Sequence, residues 1–376
     1  MNTHTVIIGA GLSGLYAASL LEKQGVDYIV IEARPRIGGR ILSSSIIDNV
    51  SNNNDINNTR SCDGLFDLGP SWFWPQQNPK FSQLIQQLNL SSFKQHETGD
   101  YLFQRAQNTP IERYKQEQIP SQGSMRVNGG MQAVVDKLSQ KIPINRLRLN
   151  TKVFQIEYSD QTELNRVHIT NENNQQVIEA SNVIFALPHR LLAESITLIP
   201  DLPVDIKNNF LKKPTWMAAH AKFTAVYEQP FWYDNNLSGS ASSQVGPLVE
   251  IHDATTPSGQ GALFGFVGID AQTRQQIGLD EVKQAALKQL VDLFGEQGQN
   301  PLAVELIDWS QEAFTATKAD KNAPSDHPNY GLPKGVERLH AHGWYFSGTE
   351  SAHHNGGYLE GALEASKNAI QAMNIQ

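Results

Sequence analysis

Three glycines near the N-terminus, Gly9, Gly11 and Gly14, have the spacing of a phosphate-binding turn. In the pattern G-x-G-x-x-G between a strand and a helix, they allow a tight turn, close backbone approach to a pyrophosphate and close helix packing. The following helix, with Ser13 at its start, directs N–H groups at the anion. Glu32 follows Gly14 by 18 residues, at the position where a carboxylate binds ribose hydroxyls. The spacing predicts a dinucleotide site, and the acid disfavours a 2′-phosphate.

A basic, glycine-rich segment continues directly from this acid. Residues 32–40 read E-A-R-P-R-I-G-G-R, with Arg34, Arg36 and Arg40 around the pair Gly38 and Gly39. A plain NAD dehydrogenase has no reason to carry this extension. The segment resembles the FAD-dependent flavin amine oxidase superfamily, whose members place these arginines on the pyrophosphate and the glycines beneath it. The resemblance implies FAD as the cofactor.

Further segments are similar to the same family in the same order, so the resemblance spans nearly the whole chain. They are L-G-P-S-W at 68–72, V-N-G-G-M at 127–131, T-K-V at 151–153, and G-T-E with G-Y-L-E-G-A within 348–362. The first is similar to the loop under the flavin ring, and T-K-V is similar to the strand that holds the adenine. Trp309 resembles a tryptophan beside the flavin, or it is a core indole. The implied cofactor-binding residues are Gly9, Gly11, Ser13, Gly14, Glu32, Arg34, Gly39, Arg40, Gly69, Trp72, Val153, Trp309, Glu350, Gly357, Tyr358 and Leu359.

The chemistry of a reduced flavin explains the sequence of the C-terminal segment. Reduction of a flavin places negative charge near N1 and the C2 carbonyl, and a helix beginning near Gly357 would stabilise that charge with its dipole. Leu359 and other apolar residues keep to one helical face, which predicts a buried helix aimed inward. The resemblance implies that Glu350 bonds the ribityl chain or phosphates; the alternative is a surface helix-cap acid.

Three residues are candidates for the substrate side. Hydride transfer from the α-carbon of an amine to flavin N5 requires desolvation, orientation and a neutral nitrogen rather than a protein nucleophile. Tyr330 and Tyr358 are similar to the family's aromatic cage, and Lys222 is similar to the lysine that holds a water at N5. The alternatives are a turn aromatic for Tyr330 and an outward-facing strand lysine for Lys222.

Cysteine and histidine usage limits other chemistry. Asn329 lies where some family members carry the cysteine bonded to the flavin, and Cys62 is the only cysteine, so we expect non-covalent FAD. The 11 histidines show no H-E-x-x-H or other ligand spacing, and we expect no metal.

Composition limits the partners. The chain has 376 residues, and 30 basic against 38 acidic residues give a net charge of −8, which argues against nucleic acid. With no long apolar run and no evident signal peptide, we expect a cytoplasmic protein that does not bind membranes. The expected partners are a small-molecule amine and O2 as acceptor.

The pattern of apolar runs along the chain predicts an α/β fold. Apolar runs at 5–8 and 28–31 flank a helix at 13–24, which is a βαβ unit, and mostly antiparallel strands follow Pro188. We predict a Rossmann-like FAD-binding domain of the glutathione-reductase type at 1–75, 125–200 and 338–376. An α+β substrate domain on a mostly antiparallel sheet occupies 76–124 and 201–337. The asparagine-rich stretch at 48–59 predicts a surface insertion without assigned function.

Three other functions remain open at this point. An L-amino-acid oxidase would need an arginine for the substrate carboxylate, and Arg105 and Arg113 fall in the right region. A flavin desaturase or protoporphyrinogen-type oxidase shares the FAD motifs but acts on large apolar substrates. A non-catalytic FAD-binding protein would lack the substrate cage, against which Tyr330, Tyr358 and Lys222 argue together.

Overall fold

A computed structural model of the chain describes residues 2–45, 65–115, 123–172 and 174–373. The predicted insertion at 48–59 and Cys62 lie outside the described residues. Eight α-helices are present within these ranges: α1 (Leu12–Gln24), α2 (Pro79–Gln87), α3 (Gln132–Ser139), α4 (His189–Ser195), α5 (Val204–Lys212), α6 (Ala271–Ile277), α7 (Leu279–Phe294) and α8 (Leu359–Ala372).

The strands of the same ranges form two large sheets and two short pairs. In chain order they are β1 (Asn2–Ile8), β2 (Tyr28–Ile31), β3 (Ser43–Ser44), β4 (Phe66–Asp67), β5 (Ser92–Lys94), β6 (Asp100–Gln104), β7 (Glu112–Tyr114), β8 (Met125–Val127), β9 (Leu147–Arg148), β10 (Lys152–Ser159), β11 (Leu164–Asn171), β12 (Asn174–Phe185), β13 (Thr197–Ile199), β14 (Ala221–Val226), β15 (Leu237–Ser243), β16 (Leu248–Asp253), β17 (Ala262–Val267), β18 (Ala303–Asp308) and β19 (Trp344–Phe346).

The first large sheet has the order β13-β10-β11-β12-β1-β2-β9, and β19 also pairs with β12. β1 and β2 pair in parallel with α1 between them in sequence, so the predicted βαβ unit is confirmed. All four residues of β2 are buried, as expected for a strand covered on both faces. The carboxyl ends of β1 and β2 meet at one edge of the sheet, which is where α/β proteins bind their ligands.

The second large sheet has the order β18-β14-β17-β16-β15-β6-β7. Its pairs are antiparallel except for the parallel pair of β15 with β6, so the expectation of a mostly antiparallel sheet is confirmed. In β14, Ala221, Phe223 and Ala225 face an apolar core that includes one side of α7. Strand side chains alternate between faces, so Lys222 and Thr224 face the other way.

Close packing joins the ends of the described chain. A Cβ atom on Gly14 would lie 1.9 Å from the carbonyl oxygen of Gly9, so only glycine lets α1 approach β1 this closely. The hydroxyl of Ser366 in α8 donates to the carbonyl of Ser13 in α1, at 2.8 Å. The helix of the C-terminal motif therefore packs directly on the helix of the N-terminal glycine motif. The two predicted domain ranges stay a prediction.

Across the ranges given above, no helix combines the length and the apolar character needed to cross a bilayer.

Candidate active site

A cavity of about 430 Å³ is lined by residues from both large sheets. It includes residues at the carboxyl ends of β1 and β2, called here the nucleotide end, and also Lys222 of β14 in the second sheet. Most predicted site residues line it: Gly9, Gly11, Ser13, Glu32, Arg34, Gly39, Arg40, Gly69, Trp72, Val153, Lys222, Trp309, Gly357, Tyr358 and Leu359. The fold thus brings together groups that lie up to 350 residues apart in the sequence.

Three predicted residues do not line the cavity: Gly14, Tyr330 and Glu350. Gly14 has its place in helix packing, as described above. Tyr330 is only 6% exposed, and its hydroxyl donates to the carbonyl of Pro214 at 2.8 Å. It therefore packs behind the cavity wall, and its predicted contact with substrate has no geometric support here.

The nucleotide end is organised around Glu32, which is 4% exposed. Its two carboxylate oxygens accept hydrogen bonds from the backbone N–H groups of Ala10, at 2.8 Å, and Arg34, at 2.9 Å. These bonds fix the carboxylate beside the glycine turn while leaving lone pairs for a ribose. At Gly11 an added Cβ would have no neighbour closer than 3.8 Å, so the backbone is open to the cavity. This donor and acceptor set fits the adenosine and pyrophosphate of a dinucleotide.

Arg40 and Glu350 form an ion pair at the middle of the site. Nη2 of Arg40 lies 2.8 Å from Oε1 of Glu350, and Nη1 donates to the carbonyl of Trp216 at 3.2 Å. Glu350 is 1% exposed, and neither of its oxygens makes a properly directed hydrogen bond. A buried carboxylate with unused acceptors is costly unless a further donor arrives. Glu350 is therefore not a surface helix cap; it lies paired with Arg40 behind the cavity wall, and its contact with the cofactor stays a prediction.

Lys222 lines the cavity from the second sheet and is 3% exposed, which excludes the outward-facing alternative. Its ammonium donates to the carbonyl of Gly69 at 3.0 Å and to the hydroxyl of Ser71 at 2.6 Å. It also lies 4.0 Å from the ring centroid of Phe264. Burial lowers the pKa of Lys222 to about 7, although the Asp67 carboxylate opposes that shift. Both protonation states of this amine are thus accessible at neutral pH.

Aromatic side chains surround Lys222. Phe266 pairs with Lys222 across β14 and β17, and Phe264 lies two residues away on the same face. The ring of Trp72 lies 5.2 Å from that of Phe264 between centroids, and all three rings line the cavity. Trp309 is buried and holds its indole by donating to the carbonyl of Leu68 at 3.2 Å. These apolar walls leave Lys222 little contact with bulk solvent.

A second aromatic group surrounds Tyr358 and was only partly predicted from the sequence. Trp216 lines the cavity with its ring centroid 6.2 Å from that of Tyr358. His327 stacks on Tyr358 at 4.9 Å with an angle of 7° between the rings, and it contacts Tyr330 edge-on. The aromatic partner of Tyr358 that faces the cavity is therefore Trp216.

Sequence reasoning missed several lining residues, including Trp216, His220, Phe264, Phe266 and Phe314. Strand alternation in the run A-L-F-G-F-V could have placed Phe264 and Phe266 on one face of the strand. It could not have shown that Phe266 pairs with Lys222. His220 lies two residues before Lys222, and burial and then the charge of Arg274 lower its pKa. We expect a neutral imidazole there at pH 7.

The two arginines considered for a substrate carboxylate lie elsewhere. Arg105 is paired with Glu112 at 2.8 Å, and Arg113 donates to the backbone of Asn235 at 2.7 Å. Neither lines the cavity. Among the residues with described positions, no group of three or more histidine, cysteine or acidic side chains could hold a metal ion.

Comparison with protein families gives two matches along the chain. The profile of flavin containing amine oxidoreductases matches residues 111–374, and that of an NAD(P)-binding Rossmann-like domain matches residues 7–88. The first match alone covers more than half of the sequence.

Two named amine oxidases are similar to this chain over most of its length. Amine oxidase [flavin-containing] B of Sus scrofa is 25% identical, covering 97% of this chain and 84% of its own. Putrescine oxidase of Kocuria rosea is 22% identical and covers 82% of each chain. Among solved structures, cyclohexylamine oxidase from Brevibacterium oxydans superposes with a TM-score of 0.77 at 20% identity, over 99% of each chain. At that identity the structure shows the shared fold, and the predicted fold class is confirmed.

Proposed function

The chain belongs to the family of flavin containing amine oxidoreductases, and from this premise we propose that its substrate is a small monoamine with an apolar body, oxidised with O2 as acceptor. The enzyme is an FAD-dependent amine oxidase. A cytoplasmic location stays part of the proposal, supported only by composition.

The single observation that carries the substrate class is the distribution of charge on the cavity walls. Among the described lining residues the only carboxylate is Glu32, and the only arginines are Arg34, beside Glu32, and Arg40, which is already paired with Glu350. The end near Lys222 is bounded by Trp72, Phe264 and other apolar side chains. A diamine would need an acid for its distal ammonium, and an amino acid would need an arginine for its carboxylate. Neither is offered there.

FAD, when bound, supplies the two-electron acceptor: the amine gives a hydride from its α-carbon and a proton, becoming an imine that water hydrolyses, and O2 is reduced to H2O2. On the chain, Glu32 would hold the ribose, the glycine turn the pyrophosphate, and Arg40, which Glu350 positions by an ion pair, the middle of the cofactor.

The chain's own contribution on the substrate side is desolvation and orientation. The apolar walls that lower the pKa of Lys222 disfavour an ammonium ion in the same space, so they favour the neutral amine that hydride loss requires. The faces of Tyr358 and Trp216 orient the substrate and exclude water. With two of its hydrogens donated to Gly69 and Ser71, Lys222 keeps a third for a water molecule or ligand in the cavity.

The other functions considered have less support. An amino-acid oxidase loses its candidate arginines to ion pairs and backbone contacts outside the cavity. A non-catalytic FAD-binding protein has no use for a desolvated lysine facing an aromatic wall, because burying that charge costs stability without return.

Stopped-flow absorbance of the holoenzyme under anaerobic conditions tests the proposal. The panel contains an arylalkylamine, an alkyl diamine and an aromatic L-amino acid of similar size. We expect rapid loss of the oxidised flavin band with the arylalkylamine, slow loss with the diamine and none with the amino acid. Faster bleaching by the diamine or the amino acid would overturn the substrate class, and an enzyme bleached by none of a wide amine panel would overturn the amine substrate.

A further inference from the structure

Arg34, predicted above to contact the pyrophosphate, makes its side-chain contacts with a different part of the chain. It is 7% exposed. Nε donates to Oε2 of Glu312 at 3.2 Å, Nη1 to the carbonyl of Phe314 at 3.4 Å, and Nη2 to the hydroxyl of Thr315 at 2.7 Å. Its Cζ also lies 5.5 Å from the Phe314 ring centroid. One guanidinium therefore ties residues 312–315 to the end of β2.

The tied segment forms part of the cavity wall at the nucleotide end. Phe314 and Thr315 both line the cavity. The Arg34 guanidinium places this wall beside the ribose acid, because its Nη1 lies 4.0 Å from Oε1 of Glu32 while its Nη2 donates to Thr315. The N–H of Thr151 also donates to the carbonyl of Glu32, at 2.9 Å. Thr151 begins the run that continues into Val153, which also lines the cavity.

Phe314 lines the cavity and is 37% exposed, although most large apolar side chains of the described chain are buried. An exposed ring held rigidly beside a ribose-binding carboxylate is suited to stack on a planar base. The Arg34 guanidinium over the Phe314 ring makes residues 312–315 more rigid.

We propose that Phe314 is the aromatic wall of the adenosine site, and that Arg34 is a positioning residue that holds residues 312–315 against the nucleotide. The ligand is the adenosine half of the cofactor, so the inference rests on the FAD-dependent function given above. Arg34 then acts on cofactor retention through Phe314, and not by direct contact with phosphate.

The test is the rate of FAD release from holoenzyme after dilution, followed by the appearance of free flavin fluorescence. Base stacking on an aromatic side chain is strong enough that Phe314→Ala should release FAD about tenfold faster. Phe314→Tyr, which keeps the ring, should release it at the wild-type rate. The flavin absorption band should be unchanged in both variants, because the ring of the flavin lies away from this wall.

A double variant separates positioning from direct contact. Arg34→Met should also speed release about tenfold, and the variant Arg34→Met with Phe314→Ala should be little faster than either single variant, because both act on one segment. Multiplied effects would overturn the positioning role. Arg146→Met is the matched control: Arg146 also lies over an aromatic ring, 4.9 Å from that of Tyr28, and pairs with Glu22, but it does not line the cavity.

Two further outcomes would overturn the inference. Unchanged release from Phe314→Ala would mean that the ring does not touch the cofactor. A shifted flavin band in that variant would place the ring at the flavin and not at the adenosine. A wild-type protein unable to bind FAD would instead overturn the proposed function itself, so the two failures are distinguishable.

Discussion

The ammonium of Lys222 lies 2.6 Å from the hydroxyl of Ser71, so one hydrogen bond joins strand β14 of the second sheet to the loop that lines the cavity. A second bond from the same ammonium to Gly69, at 3.0 Å, fixes the side chain in place. The position of this amine is therefore determined by two segments that the sequence separates by 151 residues.

Lys222→Met should slow catalysis and leave FAD bound, because Lys222 bonds to Gly69 and Ser71 and not to Glu32 or Arg40, and much of the stem volume is kept. If a water held by Lys222 assists the reaction with oxygen, the rate of flavin reoxidation should fall more than the rate of reduction by amine. Stopped-flow measurement of each half-reaction checks this expectation. Lys207→Met, at a surface lysine paired with Asp201, is the control. Wild-type rates in both half-reactions would remove Lys222 from the mechanism.

The stability of the enzyme should depend on pH through Lys222. Its pKa is about 7 in the folded protein against 10.5 in an unfolded chain, so between these values the unfolded state binds more protons. The free energy of unfolding contributed by Lys222 should therefore rise with pH, by about 3 to 4 kcal/mol between pH 7 and pH 10. Urea denaturation of wild type and Lys222→Met at pH 7 and pH 10, with saturating FAD, measures it. Equal pH dependence in the two proteins would contradict the lowered pKa.

Glu32→Ala should weaken FAD binding by about 10- to 100-fold, since hydrogen bonds to a charged group contribute about 1.5 to 3 kcal/mol. Glu32→Gln keeps one acceptor and should be less affected. Equilibrium dialysis gives both dissociation constants. An unchanged affinity in the alanine variant would show that the ribose does not contact this residue.

Trp216 and Tyr330 should differ in their effect on the substrate. Trp216→Ala should raise KM for an arylalkylamine, because this ring lines the cavity beside Tyr358. Tyr330→Phe loses only a hydrogen bond to Pro214 and should lower stability by about 1 kcal/mol with little change in KM. Steady-state kinetics and thermal unfolding of both variants decide the matter. A larger KM effect at Tyr330 would restore it as the second wall of the cage.

The flavin should be released intact by acid. Asn329 has no thiol to form a thioether, so precipitation of the holoenzyme should leave the yellow colour in the supernatant. Absorbance of pellet and supernatant is sufficient to check this. Colour retained in a washed pellet would mean a covalent link through another residue.

Short-range signals predicted much of the fold. Apolar runs and the glycine pattern gave β1, α1 and β2 with bounds close to those observed, and the C-terminal motif gave α8. The first half of β12 is polar because it pairs with β11 in a surface hairpin. The strand β15 reads L-S-G-S-A-S-S and was missed, since serine and glycine rarely indicate a strand.

Only some residues of the site could be predicted from the sequence, because only some of them belong to a local motif. Glu32 and the glycine turn lie next to each other in the chain, so a local motif locates them. The aromatic walls depend on how β14 pairs with β17 and on where Trp216 falls relative to Tyr358, and these long-range contacts leave no mark in local spacing. Arg34 shows the same limit: its backbone N–H donates to nearby Glu32, but the hydrogen-bond partners of its guanidinium lie more than 270 residues away.

The pairing of β12 has a consequence for synthesis on the ribosome. One edge of this strand pairs with β11 and β19, and the other pairs with β1, so residues 344–346 complete a sheet that begins at residue 2. The cavity wall likewise requires residues up to Ala362. The first half of the chain can form its hairpins as it emerges, but neither sheet edge nor cofactor cavity closes until nearly all described residues have been translated. Cofactor loading is consequently a late event, and a nascent chain stalled before residue 344 would expose the unpaired edge of β12.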